Sequence, residues 1–277
     1  MTYANAEVLT FYRELPFNFR ETVSAHVEKI QSRNVVDEYP VFQSLLKSGT
    51  TVLEIGCGTG WLSNSISHYY PKTRVTAIDF NKRAIDRASQ ISTDLQTSTV
   101  FEEADLFLYE PAHGFDVVVS IGVLHHTDNC LAALHILADR FVGQGGHLFV
   151  GLYHKYGRQP FLNHFQAMKD RGASDDEMFT QYKKLHSGLT DDTHLMSWYR
   201  DQVKHPHETQ HTLAEILPVL EDCRMQIVST SINQFAEIRS LADLLEEEHH
   251  YTEVAKKKLS QGKYFPGFFA FLARKAG

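Results

Sequence analysis

Gly56, Gly58 and Gly60 stand on alternate positions directly after the apolar run Val52-Leu53-Glu54-Ile55, in the stretch VLEIGCGTGW. A glycine-rich turn between a strand and a helix exposes backbone N–H groups that side chains would otherwise screen, and the start of the helix favours negative charge. The dinucleotide fingerprint Gly-x-Gly-x-x-Gly fits Gly56 and Gly58, but its third glycine falls on Trp61. The phosphate loop requires Gly-Lys-Ser/Thr, and no lysine follows Gly60. What remains is Glu-x-Gly-x-Gly-x-Gly, a tighter turn that brings the chain close to a smaller, non-pyrophosphate ligand.

A second group of reactive side chains lies far downstream. The stretch HLMSWYRDQVKHPHETQH carries His194, Asp201, His205, His207 and His211, all metal ligands by type. Pro206 interrupts any helix that would place pairs of them on one face, and no cysteine accompanies them, so no metal site is expected. Thr212-x-x-Glu215 ahead of Ile216 and Leu217 reads as a capping box that starts the next helix. Cys57, Cys130 and Cys223 are odd in number and far apart, which gives neither a disulfide framework nor a paired thiol site and fits a reducing cytosol.

The elements that must position these groups follow from patterning. With 277 residues, 43% of them hydrophobic, the chain can bury a sizeable core. Residues 1–47 read as an N-terminal helical cap: Val23, Val27 and Ile30 recur at helix spacing, with Pro16 and Pro40 as breaks. In residues 48–153 the β-rich runs TVLEI, RVTAID, STVFEE, FDVVVSI and GHLFVGLY alternate with helix-like segments, the pattern of a parallel sheet with crossover helices. Residues 154–211 are polar and aromatic with few strand signals, and read as an insertion after the fifth strand. Residues 212–277 return to the core with the helix TLAEILPVLEDC, strands near MQIVSTS and PGFFAFLAR, and a helical insertion between those strands. The run Glu246 to Glu248 and the later lysines read as a solvated helix face.

The successive segments VLEIGCGTG, VTAIDFN, FEEADLF, FDVVVSIGVLHHTDN and GGHLFVGLY resemble, in order, the motifs of the class I S-adenosylmethionine-dependent methyltransferases. The resemblance spans roughly residues 51–153 and extends weakly to the C-terminal strands. The lead-in FYRELPFNF is similar to an aromatic, proline-containing segment found before some of these domains. The fold implied is α/β, a doubly wound, seven-stranded, mostly parallel sheet. The cofactor implied is S-adenosyl-L-methionine.

The resemblance gives each motif a role. Gly56, Cys57, Gly58 and Gly60 form the cofactor turn, and Glu54 before it steers the cationic end of the ligand; a buried glutamate needs such a partner. Asp79 at the end of the second strand, with Phe80 and Asn81 after it, is placed for the ribose hydroxyls. A helix N-cap is the other role open to Asp79. Asp105 and the Leu106 amide match the adenine contact, with an exposed turn aspartate as the alternative. Ser120 and Ile121 end the fourth strand, where open α/β sheets bind ligands, and are expected to face the methionyl part. Cys57 is expected as a small packing residue rather than a reactive thiol, and Trp61 as a packing residue.

Methyl transfer from an activated sulfonium is an in-line displacement that needs proximity, alignment and exclusion of water more than a strong base. A neutral imidazole could still take the acceptor's proton, and His126 and His154 lie after the fourth and fifth strands. An ordering role for the His126 loop stands beside that reading. Tyr12, Tyr153 and Tyr156 are candidates to line the acceptor pocket, or half-buried packing residues. The segment 154–211 is expected to act as a substrate lid closing over the same strand edges as the N-terminal cap.

Charge narrows the acceptor. A net charge of -7 lacks the basic excess of a nucleic-acid grip, so a nucleic-acid partner is not expected. The N-terminal MTYANAEVLTFYREL has no basic-then-apolar signal pattern and no run is of bilayer-spanning length, so a cytoplasmic protein without a membrane partner is expected. The acceptor expected is an oxygen or nitrogen of a small or medium-sized metabolite. A tRNA, peptide or protein acceptor and a non-catalytic cofactor-binding subunit are the rival readings.

Overall fold

The computed structural model describes residues 6–186 and 188–277; the first five residues of the expected cap and Ser187 of the expected lid lie outside them. Seven strands form one sheet: β1 (Thr51–Ile55), β2 (Arg74–Asp79), β3 (Val100–Glu103), β4 (Phe115–Ile121), β5 (Val142–Tyr153), β6 (Met225–Thr230) and β7 (Phe268–Lys275). Their order is β3-β2-β1-β4-β5-β7-β6, with β7 antiparallel to both neighbours and the other pairs parallel. Every strand read from the sequence is present, and the doubly wound, mostly parallel sheet is the observed fold.

After β1 the chain runs outward through β2 and β3, then returns to lay β4 on the other side of β1, with Val52 opposite Val117. This reversal opens a crevice at the carboxyl ends of β1 and β4, the general ligand position in open α/β sheets. The alternation of β1 and β4 explains the two buried faces. Leu53, Ile55 and Val118 join a core under the helices Cys130–Ile136 and Leu213–Asp222, while Val52, Val117 and Val119 pack with Leu62, Ile66 and Phe42 on the other side. Burying each such aliphatic side chain contributes about 1.5–3 kcal/mol, so the sheet centre is a stiff base for the turn above it.

The N-terminal region forms the helices Ala6–Glu14 and Val23–Ser32, then a short 3-10 turn and the helix Pro40–Gln43. Ile30 packs on Ile91 and Leu95 of the helix Lys82–Leu95, which fixes this region against the sheet's flank.

Residues 154–211 are more regular than the sequence suggested. They contain the helices Lys155–Asp170, Asp175–Leu185 and Asp192–Val203, sharing a core of Phe161, Phe165, Met178, Tyr182, Leu185, Leu195 and Tyr199. The Thr212–Glu215 capping box forms as expected. The acidic run does not form a wholly solvated face, because Glu248 is buried and accepts from His154 Nε2 at 2.8 Å. Among the described residues no helix is long and apolar enough to cross a membrane.

Candidate functional site

The crevice beyond β1 and β4 is a deep cleft, and the glycine turn is its floor. Gly56 and Cys57 donate to the Ile78 carbonyl of β2 at 2.8 and 3.0 Å, which pins the turn to the neighbouring strand. Gly60 has φ +74°, and a Cβ there would sit 2.8 Å from the Ala88 methyl and 2.9 Å from Phe101. Gly58 has φ +52° with nothing within 4 Å of a Cβ built on it, so its bare Cα faces the open cleft. One glycine is required by packing, the other by access.

Two buried carboxylates flank this turn. Asp79 accepts from the Gly58 amide through Oδ2 and from the Asn81 amide through Oδ1, both at 2.8 Å. Burial outweighs these two bonds and pushes its pKa up to about 6. The helix-cap role proposed for Asp79 belongs to Asn81, whose side chain accepts from the Arg83 amide. Glu54 also lines the cleft with only 5% of its surface exposed; its Oε2 has no partner and burial lifts its pKa to about 8. An unpaired buried carboxyl oxygen facing a cavity is the arrangement that a cationic ligand group would satisfy.

Phe80, Asn81, Asp105, Leu106 and Ile121 line the same cleft. Asp105 uses Oδ1 to accept from the Phe107 amide, which shapes the turn after β3. Ser120 does not reach the cleft: it is fully buried and donates to the Ile55 carbonyl at 3.3 Å, because the strand's alternation turns it inward. Cys57 packs against Ala77 and Ile85, and burial raises its thiol pKa well above the usual value, so it is held as a thiol. Trp61 packs on the core and also lines the cleft.

Tyr12 and His126 also line the cleft. His126 Nδ1 lies 3.0 Å from the His207 carbonyl. Burial lowers the pKa of this imidazole to about 4, so it is neutral. A carbonyl only accepts, so Nδ1 carries the proton and Nε2 keeps its lone pair. That nitrogen is buried, makes no hydrogen bond, and lies 3.6 Å from Asp201 Oδ1. His205 stacks on the same ring at 3.8 Å. Asp201 comes from the helix Asp192–Val203 and accepts from Tyr12 Oη at 2.5 Å and from Tyr153 Oη at 3.2 Å.

The other three predicted catalytic and acceptor residues, His154, Tyr153 and Tyr156, do not line the cleft. His154 is fully buried and caps the helix Lys155–Asp170 through Nδ1, which accepts from the Gly157 amide, while Nε2 donates to Glu248. Both ring nitrogens are committed, Phe269 of β7 meets the ring edge-on, and the carbonyl of Gly267, just before β7, accepts from the His154 amide. Tyr156 stacks near His154 and His249, away from the cleft. Tyr153 reaches the site only through Asp201, its ring lying under the Arg158 guanidinium at 3.9 Å. Arg158 in turn makes a bidentate pair with Glu208 at 2.9 and 2.7 Å.

Of the histidine-rich segment, His205 and Asp201 stand together against His126, and the other three histidines are dispersed. His194 Nε2 is 2.6 Å from Asn18 Oδ1, His207 Nε2 is 3.0 Å from the Thr127 carbonyl, and His211 Nε2 is 2.9 Å from Thr209 Oγ1. Asp201, Asn18, Phe17 and Pro16 were not assigned to the site from sequence. Pro16, Phe17 and Asn18 belong to the FYRELPFNF lead-in and line the cleft beside Tyr12.

A glycine turn at the switch point, a carboxylate closing β2 and an antiparallel seventh strand define the class I S-adenosylmethionine-dependent methyltransferases. The chain matches the methyltransferase-domain family over residues 46–258 and belongs to it. It is 21% identical over 225 residues to malonyl-[acyl-carrier protein] O-methyltransferase of Bacillus cereus, covering 80% of this chain and 72% of that protein. It is 27% identical over 145 residues to ubiquinone biosynthesis O-methyltransferase of Ralstonia nicotianae, covering 50% and 60%. The match to the malonyl-[acyl-carrier protein] O-methyltransferase of Paenibacillus, at 29% identity and 39% of this chain, spans only 46% of that relative, and several curated relatives are matched over about half their length or less. Among solved structures, PKMT2 of Rickettsia typhi in complex with AdoHcy aligns with a TM-score of 0.62 at 14% identity, over 85% of this chain and 52% of that one. Magnesium protoporphyrin IX methyltransferase of Synechocystis with bound SAH aligns at 0.51 and 17% identity, over 91% and 84%. At these identities the structural likeness is one of fold.

Proposed function

We propose that this protein transfers a methyl group from S-adenosyl-L-methionine to an oxygen or nitrogen of a small or medium-sized metabolite. The observation that carries the reading is the make-up of one cleft: an unpaired buried Glu54 oxygen, the bare Gly58 Cα and the Asp79 carboxylate line it together with Tyr12 and His126. When bound, the cofactor supplies an activated methyl on a sulfonium. Glu54 would hold its cationic end, Gly56, Cys57, Gly58 and Gly60 its backbone-facing side, and Asp79 with Phe80 and Asn81 the ribose. Asp105 and Leu106 would hold the adenine, and Ile121 would face the methionyl part.

The acceptor would enter between the N-terminal cap, residues 1–47, and the lid, residues 154–211. Tyr12 to Asp201, Asn18 to His194 and Glu14 to Arg200 join these two regions, which supports a small acceptor enclosed from water. The O-methyltransferase names of the relatives favour oxygen. The net charge of -7 favours a metabolite over a nucleic acid.

Calorimetry with S-adenosylmethionine and S-adenosylhomocysteine, followed by cofactor turnover with a metabolite extract, tests the reading. Micromolar binding with turnover is expected, on the order of typical substrate affinities. Binding without product across a broad acceptor set would favour a non-catalytic subunit, and absence of binding would overturn both.

A further inference from the structure

We propose that Asp201 is the proton-receiving group of the acceptor site, working through the hydroxyl of Tyr12. The inference rests on the methyltransfer reading and adds a residue from the far end of the chain to it. Tyr12 lines the cleft and donates to Asp201 Oδ1 at 2.5 Å. The same oxygen faces the lone pair of His126 Nε2 at 3.6 Å, and that nitrogen has no donor of its own. Because Nε2 is buried against Asp201, His126 presents its ring, not its base, to the cleft. The proton acceptor behind the cleft wall is therefore the carboxylate, and Tyr12 is the group between it and the acceptor.

The step balances as follows. The acceptor's O–H or N–H bond breaks and its proton goes to Tyr12 Oη, while the Tyr12 O–H bond breaks and that proton goes to Asp201 Oδ1. The electron pair left on the acceptor forms the new bond to the methyl carbon, and the pair of the broken carbon–sulfur bond leaves with the thioether. Asp201, now an acid, has a donor to offer His126 Nε2, which explains why a buried nitrogen is left with an unused lone pair. The positive charge lost from the sulfonium and the negative charge lost from the carboxylate cancel.

The surroundings suit this task. Tyr12, Tyr153, His126 and His205 face Asp201, with Arg158 and Glu208 behind them. The Arg158 guanidinium is committed to Glu208 and that of Arg200 to Glu14 and the Phe11 carbonyl, and both imidazoles are held neutral by burial, His205 at about 3. Burial also raises the pKa of Asp201, so a carboxylate that would be a weak base in water becomes a better proton acceptor here.

The test uses the full chain, reading S-adenosylhomocysteine release with a deproteinised cell extract as acceptor source, beside calorimetric affinity for S-adenosylhomocysteine. Tyr12→Phe and Asp201→Asn are each expected to slow turnover about 100-fold, a typical contribution of acid–base catalysis. Affinity should stay within about threefold, since neither group holds the cofactor. The wild-type rate should fall on acidification as Asp201 takes up a proton; this limb should vanish in Asp201→Asn, and Asp201→Glu should restore part of the rate. Full turnover in either variant, survival of the acid limb in Asp201→Asn, or loss of cofactor affinity in Tyr12→Phe would overturn the proposal. Should the extract give no turnover, the Asp201 carboxyl titration followed by carbon-13 NMR decides: Tyr12→Phe must raise its midpoint, and an unchanged midpoint overturns the relay. Absence of cofactor binding to the wild type would defeat the methyltransfer reading itself, whereas normal wild-type turnover with unaffected variants would defeat only the relay.

Discussion

The backbone amide of Gly58 donates to Asp79 Oδ2 at 2.8 Å, joining the middle of the glycine turn to the end of β2. The bond makes the turn and the carboxylate one unit: Gly58 cannot move toward a ligand without drawing on Asp79, and Asp79 cannot rotate away without freeing an amide. The second oxygen is fixed the same way by Asn81, whose own side-chain amide donates to the Tyr12 carbonyl at 2.9 Å. The N-terminal segment is thus tied to the Asp79 side of the cleft as well as to the helix Asp192–Val203.

Asp79→Ala removes the acceptor of both amides and the carboxylate available to a ribose. Hydrogen bonds to a charged group are worth about 1.5–3 kcal/mol each, so affinity for S-adenosylhomocysteine should fall by about 100-fold or more. Calorimetry checks this, and affinity within a few-fold of wild type would show that no ligand hydroxyl relies on Asp79.

The glycines should separate by position. Gly60→Ala forces a Cβ to 2.8 Å from Ala88 and Asn64 at φ +74°, and should lower stability by about 2–3 kcal/mol from strain and overpacking together. Gly58→Ala has free space around it and should cost about 1 kcal/mol of stability, from its positive φ alone. It should nevertheless weaken cofactor binding more than its stability loss, because the new methyl occupies the ligand's side of the turn. Denaturant melts beside calorimetry distinguish the two.

The turn and Asp79 were legible because the groups that form them are close in sequence and their strand-turn-helix context repeats a period the chain displays. Ser120 was misplaced by one position of strand alternation, which sends Ile121 to the cleft and Ser120 to the Ile55 carbonyl. Asp201 was visible only as a metal ligand by type: its partner Tyr12 is 189 positions away, and only the packing of the helix Asp192–Val203 brings the two together. The helices of residues 154–211 did leave a trace, in Phe161 with Phe165 and Leu195 with Tyr199 at i,i+4 spacing. Aromatic and polar residues dense enough to mask that period concealed it.

His154 predicts the reverse of a catalytic histidine. His154→Ala removes a helix cap and leaves the Glu248 carboxylate buried beside the Leu213 amide alone. Leaving a buried carboxylate short of a donor costs about 1–3 kcal/mol and losing the cap about 1 more, so the melting temperature should drop. The fraction that remains folded should bind S-adenosylhomocysteine normally and keep its turnover per active site. A variant of normal stability with slowed turnover would restore the catalytic reading of this residue.

Glu54 gives a pH signature. Its pKa is raised in the folded, ligand-free chain from 4.5 to about 8, so the folded state binds this proton more tightly than the unfolded state does. Its contribution to stability is therefore present below pH 4.5 and is lost as pH rises through about 8; Glu54→Gln should flatten that part of the profile. A cationic ligand group beside Glu54 favours the carboxylate and must expel the proton. Binding of S-adenosylhomocysteine near pH 7 should then release close to a full proton. Calorimetry in two buffers of different ionisation enthalpy measures it. The release should disappear at pH values well above 8, where the group is already ionised, and in Glu54→Gln at any pH. If the wild type binds at pH 7 with no proton release, the cationic end of the ligand lies elsewhere, and the unpaired Glu54 oxygen needs another partner.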